Sequence, residues 1–167
     1  MANSRLPEEY EDACYELSSS ELEDKTIVIA SGYANPVHCG HIDYMREARR
    51  LGDALVFIVN SDLQVKVKGS QEFMNEQERL KIVSAIRWVD LAVISIDEDG
   101  SVCNTIRELA RYMPFCRKVF CNGGDRNKGN IPEVEVCYEF GIKLAFNVGG
   151  EKTQSSSALL AKLKEKK

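Results

Sequence analysis

The only two histidines of the chain, His38 and His41, stand in the run Ser31-Gly-Tyr-Ala-Asn-Pro-Val-His-Cys-Gly-His41. An apolar stretch, Thr26-Ile-Val-Ile-Ala30, leads in, and Ile42, Met45, Ala48, Arg49 and Leu51 follow at helical spacing. The rings therefore sit on a turn between a buried strand and a helix. Backbone N–H groups of a first helical turn point outward without intrahelical partners, and the helix dipole favours negative charge there. Gly40 lets a ligand approach the backbone, and imidazoles three apart can face one anion together. The chemistry this turn suits is phosphate binding. Cys39 lies between the rings, so a thiol nucleophile is a second reading of the same residues.

The elements that must position the turn read as alternating strands and helices. Strands are expected at 26–31, 54–60, 90–96, 117–122 and 142–147. Helical periodicity covers 41–51, 75–87, 101–113 and 132–140, and a last helix begins at Ser155. That order specifies the α/β class with a parallel sheet. In such sheets ligands bind beyond the carboxyl ends of the strands, where the strand order reverses. The histidine turn, Asn60-Ser-Asp62 and Asn122-Gly-Gly-Asp125 all follow strand ends and can converge there. Lys66 and Lys68 alternate with Val65 and Val67, which is also the pattern of a half-exposed strand, so either lysine is the candidate to face a ligand.

Composition bounds the function classes. A chain of 167 residues with 44% apolar and 29% charged residues fits one filled globular domain. No apolar run reaches membrane-spanning length and no basic-then-apolar leader opens the chain, so a soluble cytoplasmic protein without membrane contact is expected. Six cysteines form no C-x-x-C pair, which disfavours disulfides and a zinc site. The net charge of −4 is unevenly spread: Glu8, Glu9, Glu11, Asp12, Glu16, Glu21, Glu23 and Asp24 face Arg5 alone within the first 24 residues, leaving the remainder net basic. Residues 1–24 form an acidic extension in which Leu6, Tyr10, Ala13, Cys14 and Leu17 predict a short packed helix, with Ser18-Ser-Ser20 as its linker to a domain over 25–167. Scattered lysines on an acidic chain supply no basic stripe with exposed aromatics, so nucleic acid is not an expected partner.

H-x-G-H after a glycine turn resembles the signature of the nucleotidyltransferase superfamily that includes the cytidylyltransferases. Further segments resemble that family in its own order: Leu51 to Asp62 as a second strand, Lys66-Val-Lys68-Gly as a basic phosphate segment, and Met74-Asn-Glu-Gln-Glu-Arg79 with Ile86-Arg-Trp-Val-Asp90 around a helix. The last two are similar to phosphocholine, phosphoethanolamine and glycerol-phosphate cytidylyltransferases. Asn122-Gly-Gly-Asp125 is closer to the heptose-phosphate adenylyltransferases, and Thr153-Gln-Ser-Ser-Ser157 stands where the family carries Ile-Ser-Thr-Thr. The resemblance spans roughly residues 26 to 165. Two departures bear on the base: Ala34-Asn35 replaces Phe-Asp, so that Asn35-Pro-Val-His38 is more like the nicotinate-mononucleotide adenylyltransferases, and Gly149-Gly150 replaces an arginine, with Lys152 nearby.

The resemblance implies a Rossmann-like parallel five-stranded sheet with helices on both faces. It implies attack of a phosphate monoester, an alcohol phosphate or sugar phosphate, on the α-phosphorus of CTP or ATP with release of pyrophosphate. In that reading His38, His41, Lys66 and Lys68 act on the phosphates, no covalent intermediate is needed, and Cys39 is a bystander. Gly32, Tyr33, Asn35, Gly40, Asn60, Asp62, Gly123, Asp125, Arg126, Thr153, Ser155, Ser156 and Ser157 bind the nucleotide, and Arg87 binds substrate. Magnesium rides on the phosphates with no protein ligand set. A homodimer meeting beside the H-x-G-H helix and Arg87-Trp88 is expected. The alternative is a retired, nucleotide-binding regulatory member of the same fold.

Overall fold

Residues 27–30 and 55–59 are completely buried. Apolar runs without alternation need cover on both faces, which parallel strands joined by crossover helices receive. In the computed structural model, which describes residues 5–19, 24–150 and 155–165, they form the centre of a five-stranded parallel sheet in the order β3-β2-β1-β4-β5. The strands are β1 (Thr26–Gly32), β2 (Ala54–Val59), β3 (Leu91–Ile94), β4 (Arg117–Cys121) and β5 (Lys143–Ala145). Ile29 pairs with Val56 on one side and Phe120 on the other, which fixes the register around β1.

The helices are α1 (Glu9–Ser18), α2 (Cys39–Arg49), α3 (Asp62–Val67), α4 (Glu76–Ser84), α5 (Cys103–Tyr112), α6 (Val134–Glu139) and α7 (Ser156–Lys164). Met45 and Ala48 of α2 and Val83 of α4 bury one sheet face with Val28, Leu55 and Phe57. On the other face Ile106 and Leu109 of α5 and Cys137 of α6 pack with Ile27, Ile29 and Ile58. Leu6 and Cys14 join this second core, and Tyr112 Oη donates to the Leu6 carbonyl at 3.1 Å, so the acidic N-terminal helix is packed on the body. The expected strand and helix positions all hold an element, shortened at several ends; Ser20 of the expected linker lies outside the described residues.

One segment differs from its sequence pattern. Residues 62–67 are helix α3, not a half-exposed strand. Ser61 accepts from Gln64 N while Gln64 Oε1 accepts from Ser61 N, a reciprocal cap that outweighs the alternation of valine and lysine. In a helix Lys66 and Lys68 are about 200° apart, so they cannot share a face.

The chain runs outward through β1, β2 and β3, then returns to place β4 beside β1. The order reverses between β1 and β4, and a crevice opens beyond their carboxyl ends. Tyr44 of α2 spans it, donating from Oη to the Cys121 carbonyl at 2.8 Å.

Candidate active site

His38 is the N-cap of α2, and the two rings hold the helix start with their Nδ1 atoms. Gly40 N donates to His38 Nδ1 at 3.1 Å, and His38 N donates to His41 Nδ1 at 3.2 Å. A neutral imidazole that accepts at Nδ1 carries its proton on Nε2, so the backbone itself selects the tautomer that donates from the outer nitrogen. The ring centroids are 4.0 Å apart at 45°. Both rings line a cavity of about 770 Å³ at the β1/β4 crevice, a volume suited to a nucleotide-sized ligand.

Around the rings the cavity gathers Gly32, Tyr33 and Gly40 from the first strand-to-helix turn, Asn60 from the end of β2, and Gly123 and Arg126 from the end of β4. Ser155, Ser156 and Ser157 enter from the start of α7. Ser155 caps that helix, accepting from Ala158 N at 3.1 Å, and Ser156 Oγ donates to the Pro36 carbonyl at 2.8 Å, which locks the last helix to the histidine turn. Two helix N-termini thus face one space, each favouring anions. Lys68 lines the cavity with its Nζ 4.4 Å from the centre of the Tyr33 ring, a cation–π contact that holds the charge at the rim.

Other residues expected at the site are elsewhere. Lys66 is exposed and does not line the cavity, because helix α3 turns it to the opposite side from Lys68. Asn35 is buried and spends its amide on the chain: Nδ2 donates to the Gln71 carbonyl, and Oδ1 accepts from Phe73 N and Met74 N. Asp62 pairs with Arg79 at 2.7 Å. Asp125 is exposed beyond the rim, and Arg87 follows the end of α4 at the surface, neither lining the cavity. Thr153 and Lys152 lie outside the described residues. Cys39, first residue of α2, is exposed and does not belong to the lining.

Sequence reasoning left several lining residues unassigned. Tyr44, partly buried and with its hydroxyl pushed up mainly by burial, lines the cavity. Gly149, at φ +87°, presses on it; a Cβ there would stand 3.0 Å from Tyr44 Cα. Arg46 lines the rim paired with Asp43 at 3.1 Å. Asn122 and Glu133 complete the far wall; the first lies in a motif the sequence shows, whereas Glu133 reaches the cavity only because the loop before α6 folds back onto the start of α5.

The chain matches the cytidylyltransferase-like family over residues 29–134 and belongs to it. It is 39% identical over 155 residues to the bifunctional protein HldE of Syntrophotalea carbinolica, covering 89% of this chain and 29% of that relative, so it spans less than a third of the relative's length. It is 39% identical over 72 residues to the FAD synthase of Thermoplasma acidophilum, covering 43% of this chain and 51% of that protein. Among solved structures it superposes on the lipopolysaccharide core biosynthesis protein of Thermoplasma volcanium with a TM-score of 0.60 at 26% identity, over 73% of this chain and 95% of the other. A putative nicotinate-nucleotide adenylyltransferase of Vibrio parahaemolyticus shares the fold, with a TM-score of 0.58 at 16% identity over 86% and 89% of the two chains.

Proposed function

We propose that this chain transfers a nucleotidyl group from CTP or ATP to a phosphate monoester, with loss of pyrophosphate. The observation that carries the reading is the pair of imidazole rings, fixed at the start of α2 through their Nδ1 atoms, that together line one nucleotide-sized cavity at the β1/β4 crevice. In-line displacement at phosphorus builds charge on equatorial and bridging oxygens. It asks for preorganised donors and cations, and for no protein nucleophile.

His38 and His41 donate to the triphosphate as that charge develops. Ser155 and Ser156, fixed against the histidine turn, offer the N-terminus of α7 to the leaving pyrophosphate. Lys68 meets the incoming phosphate or the α-phosphate from the opposite rim. The relatives differ in their named activities, so the acceptor and the choice between the two nucleotides are left to experiment.

Magnesium, which the family resemblance implies, would bring charge neutralisation with the triphosphate. No group of three or more His, Cys, Asp or Glu side chains among the described residues is placed to hold a metal, and the cavity lining carries the cations Arg46, Lys68 and Arg126 beside the carboxylates Asp43 and Glu133. The ion would therefore travel on phosphate oxygens and water, as Mg²⁺ commonly does, and no step of this chain's residues is assigned to it.

A pyrophosphate-release screen tests the reading, pairing CTP and ATP with glycerol phosphate, phosphocholine, phosphoethanolamine, and heptose and other sugar phosphates in the presence of magnesium. Turnover with one pair is the expected result. Silence across all of them sinks the reading and leaves the retired, nucleotide-binding alternative.

A further inference from the structure

Gln64 of α3 is completely buried and spends its whole polar capacity on the chain. Its Oε1 accepts from Asn60 Nδ2 at 3.0 Å and from Ser61 N at 3.1 Å, and its Nε2 donates to the carbonyls of Asp99 at 2.7 Å and Ser101 at 2.6 Å. Two N–H donors and two acceptor sites exhaust a carboxamide, so this side chain has nothing left for a ligand. N–H donors on one side and carbonyls on the other also fix which end is oxygen.

The four bonds reach three pieces of the cavity. Asn60 follows β2 and lines it; Asp99 and Ser101 flank Gly100, which lines it together with Val102; and the end of α3 brings Val67 and Lys68 to the rim. From the other side Val102 N donates to Glu133 Oε1 at 3.0 Å, so the segment 99–102 is gripped between Gln64 and Glu133. Within it, Asp99 Oδ1 accepts from Ser101 N at 2.9 Å and from Ser101 Oγ at 2.6 Å. The helix itself needs an anchor. Six residues are too few to hold helical phase alone, and Gln64 and Val65 are its buried side chains, while Leu63, Lys66 and Val67 are exposed. A residue four positions on lies about 40° further around the axis, so Gln64 and Lys68 share one side of α3. Lys68 N also donates to the Gln64 carbonyl at 3.0 Å.

We propose that Gln64 is a positioning residue: its four hydrogen bonds lock α3 against the 99–102 wall and so hold Lys68 on the cavity; the role of Lys68 itself rests on the transferase reading above. Gln64 touches no ligand and acts through the phase of the helix. With the anchor gone, α3 is free to turn about its axis, the lysine leaves the rim, and the wall at Gly100 loses its support from the β2 side.

The test is a double-mutant cycle on the full chain between Gln64→Glu and Lys68→Ala, read as KM in the pyrophosphate-release assay and as Kd for CTP, ATP and glycerol phosphate by calorimetry. Gln64→Glu keeps the acceptor toward Asn60 and Ser61 and sets an oxygen against the Asp99 and Ser101 carbonyls; Gln64→Met, an apolar chain of similar length, is the second variant. Each Gln64 change should weaken the phosphate ligand that Lys68 serves about tenfold, the same step as Lys68→Ala, and Lys68→Ala should then add less than about twofold. A merely structural role would lower the active fraction, hence kcat, and leave both the constant and the Lys68 effect intact. Amide exchange gives a readout without ligand: Ser101 N and Val102 N should exchange about tenfold faster in Gln64→Glu, with α2 unchanged. Additive losses, a silent Lys68→Ala, unaltered exchange at Ser101 and Val102, or failure of both Gln64 variants to fold would each overturn the assignment. Because calorimetry needs no turnover, coupling in Kd without pyrophosphate release would remove the transferase reading and keep the role of Gln64. Turnover with additive losses would do the reverse.

Discussion

Arg79 Nη2 lies 2.7 Å from Asp62 Oδ1, a pair in which the guanidinium is completely buried and the carboxylate about a quarter exposed. The same guanidinium donates to the carbonyls of Tyr33, Asn60 and Met74, so one side chain ties together the chain after β1, after β2 and before α4. Arg79→Leu would leave a carboxylate and three carbonyls without their donor. A loss of about 3–5 kcal/mol is expected, read from urea unfolding midpoints. Arg79→Lys should recover little, since a point charge cannot reproduce the fork. A Leu variant within about 1 kcal/mol of wild type would show that the loops hold each other without it.

His41 accepts from His38 N at the start of α2 through Nδ1, and the proposed function gives its ring a second role toward the ligand. His41→Ala should lower turnover on the order of 10²-fold or more, the usual cost of removing a donor to developing charge. It should also lower stability by about 1 kcal/mol, because His38 N loses its acceptor at the cap. Single-turnover rates and thermal melts separate the two. Turnover near wild type would take the rings out of the chemistry.

Lys66 and Lys68 are distinguished by helix α3. Lys68→Ala should raise KM for a phosphate ligand about tenfold, the scale of one charge-assisted contact, while Lys66→Ala should leave both KM and kcat within about a factor of two. Initial-rate kinetics on the two variants decide it, and an equal effect of both would mean that α3 does not keep its helical phase in the complex.

Glu133 makes stability depend on pH in a set direction. Burial is the main cause of its raised pKa, partly countered by the Val102 N–H, so its folded value lies above the unfolded value of about 4.3. The folded state is relatively favoured while the group is protonated, and that advantage is lost as pH rises through the folded pKa. Glu133→Gln should therefore match wild type in acid and exceed it increasingly toward neutral pH. Unfolding midpoints measured at about pH 4 and about pH 7.5 check this, and a gap that narrows as pH rises would reverse the assignment.

Arg87 and Trp88 carry the expected dimer contact. Trp88 is partly buried against the core beneath α2 and α4, whereas Arg87 stands at the surface after α4. Arg87→Ala is thus the cleaner probe, as it removes surface without opening the core. Sedimentation at micromolar concentration should show a dimer that this variant weakens; a monomeric wild type ends the idea and leaves Trp88 as packing.

The signals that made the fold legible are local ones. Runs buried on both faces, such as 55–59, cannot alternate, and the Gly-His turn follows the first of them directly, so the class of sheet and the place of the two histidines are written in the order of the residues. Ser155 was legible for the same reason, since a cap acts on its own helix. The tertiary structure decided everything that depends on side chains far apart in sequence. Asn35 and Asp62 look like ligands in their motifs, but the structure gives their polar atoms to Phe73, Met74 and Arg79, groups up to 39 residues away. Lys66 and Lys68 could be separated only once the Ser61–Gln64 cap had made their segment a helix. Glu133 entered the cavity through a bond to Val102 that no spacing announces. Periodicity reports which face of an element is buried, but the partner of a buried polar group is set by how the elements pack.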